Sequence, residues 1–440
     1  MKIAIISLGC PKNQVDADVF CHALIKDGHT TVGDPAEADI IIINTCGFIE
    51  SAKTEAIENI LMACQYKQEN PDLKVIVTGC LAERYKQQII QEIPEVDAVV
   101  GIGSNAALPA IVRRVCASGA GQTESYGPKS DMQLGGARVI STPRHYAYLK
   151  IAEGCDNCCA YCVIPRLRGR YRSRPMNELL DEASELASAG VKELIVIAQD
   201  ITRYGTDLNG EHQLAALLRE LCKLDFHWIR LHYLYPDDIT NELVDTIAQE
   251  KKIVPYLDIP IQHCNDDILK AMNRRDTKES IRKVFHDLRE RIPGLVLRTS
   301  IIAGLPGEGE KEFEELCDFL REEKIERAGV FPFSPEEGTK AATMEHVPME
   351  EAQRRTELLV DVQSDIIDEY NESVLGDVRE VLCEGWSEEA QSFVGRSYAE
   401  SVDIDGKIYF SANCDIMAGE FVNVRLTGTM DGELTGEAVE

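Results

Sequence analysis

Over the first 116 positions, short apolar runs alternate with amphipathic segments. "KIAIISL", "DIIIINT" and "KVIVTG" are dominated by Ile and Val with hardly a polar break, the pattern of strands buried on both faces. Residues 13–28 and 50–68 instead place apolar side chains at helical spacing, with Asp, Glu and Lys on the opposite face. A further strand, "VDAVVGIG", precedes a helix near residues 105–116. Strand–helix alternation of this kind predicts a doubly wound parallel sheet with helices on both sides.

The pattern then breaks. "SGAGQTESYGPKSDMQLGGARVISTPR" is rich in Gly, Ser and Pro without periodicity, and reads as a linker that partly orders on its neighbours. Alternation resumes with "AYLKIAEG", "ELIVIAQD", "WIRLHYLY", "YLDIPIQ", "LVLRTSIIAG" and "RAGVFPFS", separated by charged helices such as 176–189 and 308–323. Six βα units predict a full or partial parallel barrel, with its chemistry at the carboxyl ends of the strands. The last segment changes again: "VREVLCEG", "SFVGRSY", "VDIDGKIYFS" and "FVNVRLTGTM" are short alternating strands divided by Gly-containing turns. A small antiparallel, OB-like barrel is expected there. The expected division is 1–117, a linker at 118–140, 141–372 and 373–440. There is no internal repeat and no low-complexity tract.

A chain of 440 residues, 44% hydrophobic, is long enough for several cores. "MKIAIISLGC" superficially resembles a lipoprotein signal, but its apolar segment is short and Pro11 follows the Cys; a first strand fits better. No apolar run is long enough to cross a bilayer, so no membrane partner is expected and the cytoplasm is the expected location. Fifteen cysteines in such a compartment point to metal or catalytic chemistry more than to disulfides. Cys21, Cys64, Cys116, Cys222 and Cys317, inside helical patterns, read as buried fillers.

"EGCDNCCAYCVIP" holds Cys155, Cys158, Cys159 and Cys162. Two adjacent C-x-x-C pairs are a poor zinc site, because zinc ribbons separate their pairs by a long span. Cys155, Cys159 and Cys162 instead form a three-ligand loop after a strand, with Cys158 spare. Three thiolates on a four-iron cluster leave one iron open, as a catalytic metal requires. A second set, Cys10, Cys46 and Cys80, lies at three predicted strand ends, each beside a glycine. In a doubly wound sheet those ends share one edge, so the three thiols are expected to converge on a second cluster, the glycines admitting a bulky inorganic group.

The Cys-x3-Cys-x2-Cys motif, with Tyr161 before its last Cys at the end of a barrel's first strand, resembles the radical S-adenosylmethionine (SAM) superfamily. With the second three-Cys set and the terminal barrel, nearly the whole chain resembles the radical-SAM methylthiotransferase family. The resemblance implies a methylthiotransferase N-terminal domain, a radical-SAM partial (β/α)6 barrel and a TRAM domain. It implies two 4Fe-4S clusters: a radical-generating one on Cys155, Cys159 and Cys162, and an auxiliary one on Cys10, Cys46 and Cys80 that carries the sulfur. One SAM would supply the methyl group and another the 5′-deoxyadenosyl radical. A SAM pocket is expected around Tyr161, Gln199, Asp200, Gly304 and Gly307; Thr202, Asp258, Gln262, His263 and Glu308 are softer candidates at strand ends.

The family divides by substrate, MiaB-like members acting on tRNA adenosine and RimO-like members on the β-carbon of an aspartate in small-subunit ribosomal protein twelve. "SLGCPKNQVDAD", "YLDIPIQHCNDDILKAMNRR" and "FSPEEGT" resemble the RimO-like branch, departing slightly at Ala17 and Cys158. Charge agrees: the net charge is −29, and residues 373–440 set Arg379, Arg396, Lys407 and Arg425 against fourteen Asp and Glu. That balance suits a basic protein, free or within the ribosomal subunit, and makes direct nucleic-acid binding unexpected. The arginines of "PRLRGRYRSRP" (Arg166, Arg168, Arg170, Arg172 and Arg174) do not discriminate, since they could hold phosphates or carboxylates. The resemblance further implies an electron donor such as flavodoxin or ferredoxin. Two alternatives stand beside this reading: a tRNA-modifying enzyme with the same chemistry, and an iron–sulfur electron carrier or redox sensor.

Overall fold

Ile40 to Ile43 have no exposed surface at all, and burying such side chains contributes about 1.5–3 kcal/mol each. Their strand, Ile40–Thr45, lies inside a six-stranded, all-parallel sheet ordered Thr30–Thr31, Lys2–Ser7, Ile40–Thr45, Lys74–Gly79, Ala98–Val100, Thr123–Ser125. This is a computed structural model that describes residues 1–117 and 122–439; the beginning of the expected linker, 118–121, and the last residue fall outside the described residues. One face of the sheet packs on Phe20 and Leu24 of the helix Pro11–Lys26 and on Ile111 of Leu108–Ala117. The other packs on Ala56 and Ile60 of Glu50–Gln65 and on Ile89. The expected doubly wound sheet is present. Its strand order reverses between Lys2–Ser7 and Ile40–Thr45, which opens a crevice at their carboxyl ends. The edge strand Thr123–Ser125 comes from the segment read as a linker.

Six parallel strands build the central domain in sequential order: Tyr146–Lys150, Glu193–Ile197, Trp228–Leu231, Ile253–Asp258, Val296–Ala303 and Arg327–Pro332. The last does not pair with the first, so the barrel is partial. Alternate residues divide the labour along each strand. Ala147, Leu149, Leu194 and Val196 face the helices, whereas Tyr146, Tyr148, Ile195 and Ile197 form a concave face. That face is covered by Val15 from the N-terminal domain and Val402 from the C-terminal one.

After the long helix Met349–Ser373, the chain closes a five-stranded barrel. Its strands Val378–Ser387, Ser392–Arg396, Ile408–Ser411 and Phe421–Met430 match expected ones, and Glu433–Val439 is an addition. The pairing of Ile408–Ser411 with Glu433–Val439 is parallel, the other pairs antiparallel. The expected strand "VDIDGKIYFS" is shorter than its pattern: residues 402–405 belong to a loop that enters the central barrel. There the Ser401 hydroxyl meets His232 Nε2 at 2.8 Å, and the Tyr256 hydroxyl donates to Asp405 at 2.5 Å. Ion pairs hold the insertion: Glu193 lies between Arg230 and Arg396 at 2.6 and 2.8 Å, and Arg327 meets Glu400 at 2.9 Å.

Candidate active site

Cys10, Cys46 and Cys80 each follow a strand of the N-terminal sheet and stand at its carboxyl edge, beside the crevice. Their turns interlock. Gly9 has φ +86°, and a Cβ there would come within 2.5 Å of the Cys46 Cβ. A Cβ on Gly47 would come within 2.8 Å of the Leu81 backbone, beside Cys80. These glycines therefore let the cysteine turns approach one another, a closer requirement than room for an inorganic group. Burial, with Cys80 and Cys10 alongside, pushes the Cys46 thiol up to about 12; burial also raises Cys80, against the pull of Arg168. A metal that binds such thiols displaces their protons.

The second set occupies the loop after the first barrel strand. Cys155, Cys159 and Cys162 are half-buried, whereas Cys158 is exposed, at φ +52°. Burial pushes the Cys155 thiol to about 12 and raises Cys162, with Cys159 adding to the latter. The loop is pinned by the segment after the second barrel strand and by the end of the helix Asp266–Ala271. Asn157 donates to Asp200 at 2.9 Å, Asn273 donates to the Cys158 carbonyl at 3.0 Å, and the Ala160 amide donates to the Met272 carbonyl at 2.9 Å. The Tyr235 hydroxyl lies 2.9 Å from Cys159 Sγ.

Neither set is drawn together as tightly as a single tetrahedral ion would hold it. Tetrahedral zinc, bound at about 2.3 Å, would hold its sulfurs about 3.8 Å apart. Among the described residues, neither set brings all three sulfurs within 4.8 Å of one another. The two sets adjoin across the domain junction. Cys80 packs on Val163, next to Cys162, and on Leu167 in one apolar cluster. Arg168, also from the short helix Ile164–Arg168, reaches Cys80 Sγ at 3.5 Å and Asn13 Oδ1 at 3.3 Å. The same guanidinium donates to Asp16 at 2.9 Å and Glu153 at 3.0 Å, and Lys150 pairs with both carboxylates. Burial alone would raise Glu153; Arg168 and Lys150 hold it well below the ordinary carboxylate range.

The remaining expected residues take varied places. Gln199 donates to Glu153 at 2.6 Å while its buried Oε1 has no partner, an acceptor available to a ligand. Asp200 is fully buried, accepting from Asn157 and Thr202, and burial raises it despite those bonds. Tyr161 stands beside Cys159 and Arg274, and burial raises its hydroxyl. The space a side chain would take at Gly304 is filled by Ala352 and Val347, and its amide donates to Glu308 at 2.9 Å; a Cβ on Gly307 would meet Ile268 at 3.4 Å. His263 lies 3.4 Å from Glu308, Asp258 accepts from Arg298 at 2.9 Å, and Gln262 makes an isolated bridge to Ile301. Of the cysteines read as fillers, Cys21, Cys64 and Cys317 are buried and Cys222 half-buried, but Cys116 is exposed near the end of Leu108–Ala117. Sequence reasoning missed Asn13, Asp16 and Glu153; polar residues at helical spacing on one face of Pro11–Lys26 were the available signal.

Three family descriptions match the chain: Uncharacterized protein family UPF0004 at residues 2–101, Radical SAM superfamily at 149–320 and TRAM domain at 375–439. The chain is 45% identical to the ribosomal protein uS12 methylthiotransferase RimO of Acetivibrio thermocellus, over 100% of this chain and 98% of that one. The protein of that name from Geobacter sulfurreducens is 45% identical with the same coverage, and the one from Clostridioides difficile is 43% identical over 100% and 99%. Among solved structures, the radical SAM methyltransferase TsrM of Kitasatospora setae superposes with TM-score 0.56 at 15% identity, over 75% of this chain and 72% of that one. The cobalamin-dependent radical enzyme OxsB gives 0.51 at 14%, over 82% and 56%. These structural likenesses are in fold.

Proposed function

The chain belongs to the ribosomal protein uS12 methylthiotransferase family, and from that premise we propose that it attaches a methylthio group to the β-carbon of an aspartate in ribosomal protein uS12. The observation that carries the reading is full-length identity near 45% to proteins of that name, joined to two three-thiol sites meeting across one domain junction. The residues fit two 4Fe-4S clusters. Cys155, Cys159 and Cys162 would hold one, and Cys10, Cys46 and Cys80 the other. A four-iron cluster with an open iron, when bound, binds SAM and supplies the electron that cleaves it to a carbon radical.

The chain's own residues do the positioning. Asn157 and Asp200 fix the cluster loop against the second barrel strand. Val163 and Leu167 line the junction and keep water from the space beside Cys80. Tyr161 and the unpartnered oxygen of Gln199 are suited to contact SAM, and Asp200, Gly304 and Gly307 complete the proposed pocket through loop shape. A flavodoxin- or ferredoxin-like donor is the proposed source of electrons.

The arginine segment supports a protein substrate. Arg168 and Arg174 are buried in ion pairs, Arg172 donates to the Ser130 and Lys129 carbonyls, and Arg166 donates to the Gly338 carbonyl. Two of the five are thus buried in ion pairs and two more are tied to backbone carbonyls, which weakens the segment as a phosphate grip. No helix among the described residues is long and apolar enough to cross a membrane. The test is anaerobic incubation of the reconstituted protein with SAM, reductant and either uS12 or tRNA. A methylthio mass increase on uS12 is expected; modification of tRNA alone would overturn the proposal.

A further inference from the structure

Lys12 is a mostly buried side chain whose ammonium has no anion and keeps some exposed surface. It lies in the first turn of Pro11–Lys26, two residues beyond Cys10, and only 8% of it is exposed. Its ammonium sits 3.4 Å from the ring centroid of Tyr233, which follows the third barrel strand. Among the described residues no carboxylate reaches ion-pair distance of it, in a chain with 75 acidic residues. The neighbouring acids are taken: Asp16 by Lys150 and Arg168, Asp258 by Arg298. Other buried cations of these interfaces, Arg138, Arg174, Arg230, Arg327 and Arg396, each face a carboxylate. Arg379, which lies over the Tyr370 and Tyr398 rings and meets the Tyr370 hydroxyl, is a second without one among the described residues, but it stands in the C-terminal domain, away from the thiol sets.

An aromatic face attracts an ammonium and fixes its position, but accepts no conventional hydrogen bond and does not neutralise the charge. Lys12 therefore keeps its donors for something that arrives. We propose that Lys12 receives the side-chain carboxylate of the substrate aspartate, an inference that rests on the function proposed above. The geometry is apt. Lys12 extends from the turn of Cys10 to Tyr233 of the central barrel, so it spans the junction between the domains that carry the two thiol sets. In an aspartate the β-carbon is bonded directly to the carboxylate carbon. Gripping the carboxylate thus places the carbon to be modified within one bond of a fixed point. The same contact selects Asp over Asn, because a neutral amide seated there would cover the ammonium without compensating its charge.

The experiment measures binding of purified uS12, and of uS12 with its modified aspartate changed to Asn, to full-length reconstituted wild type, Lys12→Met and Lys12→Arg, by fluorescence anisotropy. Wild type is first shown by mass spectrometry to modify uS12 and to identify the residue; failure there overturns the proposed function itself, and this assignment with it. Given that control, wild type should bind the Asp form about tenfold or more tighter than the Asn form. Lys12→Met should bind both equally weakly, with wild-type iron and sulfide content, and Lys12→Arg should regain part of the preference. If Lys12→Met still prefers Asp as wild type does, or if it loses iron or alters the cluster spectrum, Lys12 serves another purpose and the assignment fails.

Discussion

Gly9 decides whether two strand ends can share a ligand. At φ +86°, with the Cys46 Cβ 2.5 Å from where its own would stand, it tolerates no side chain. Gly28 has a similar φ of +94° but nothing within 4 Å, so it separates conformational cost from collision. Gly28→Ala should cost about 1 kcal/mol and keep its metal. Gly9→Ala should fall from ~8 irons to ~4, those of one four-iron centre, after anaerobic reconstitution. Full iron in Gly9→Ala would show that the turns are not coupled. Cys158→Ala should keep all its iron, whereas Cys155→Ala should lose about half by the same count. The two three-thiol sets could be singled out in the sequence because spacing and strand ends are local signals. Lys12 and Arg168 could not: each acquires its meaning from a partner far along the chain, Tyr233 for one and Asp16 for the other.

Ile164–Arg168 has only five residues, too few to be stable alone. It persists because Leu167 packs against Cys80 and Arg168 closes a network with Asp16, Glu153 and Lys150. Removing one cation from a buried network leaves carboxylates poorly compensated, which costs about 3–5 kcal/mol. Arg168→Met should lower the melting temperature by several degrees and speed amide exchange in residues 11–20 and 150–168 together; exchange confined to the short helix would show that it does not join the domains. Strands rich in Ile and Val were readable for the reason that buries them. Glu433–Val439 was missed because its pattern "ELTGEAV" is weakly apolar and its place depends on barrel closure with Ile408–Ser411 and Phe421–Met430. Residues 402–405 alternate like a strand, yet Val402 and Asp405 both contact the central barrel instead.

Three domains could be counted from the pattern of the chain, but their packing could not, because it is written in charged residues that look like surface. Glu193, Arg230 and Arg396 are fully or almost fully buried where the C-terminal domain meets the central barrel. Burial alone would raise Glu193, but Arg396 and Arg230 bring it down to about 2, from an ordinary value of 4.5. Its contribution is therefore complete above the unfolded value and lost as pH falls from about 4.5 through 2, on the order of 3 kcal/mol. Acid should loosen the C-terminal domain over that window, seen as earlier proteolysis in the 397–405 loop. In Glu193→Gln this step should disappear, and the protein should be less stable by about 3–5 kcal/mol at neutral pH, since two guanidiniums then lack their shared anion. Arg396 also meets Glu384 at 2.7 Å, so replacing the whole network, as Glu193→Leu with Arg230→Met, Arg396→Met and Glu384→Gln, should recover most of that loss, because an apolar contact of similar volume needs no compensating charge. If Glu193→Gln melts like wild type and keeps the acid step, another contact carries the docking; Arg327 with Glu400, at 2.9 Å and equally enclosed, is the next to change.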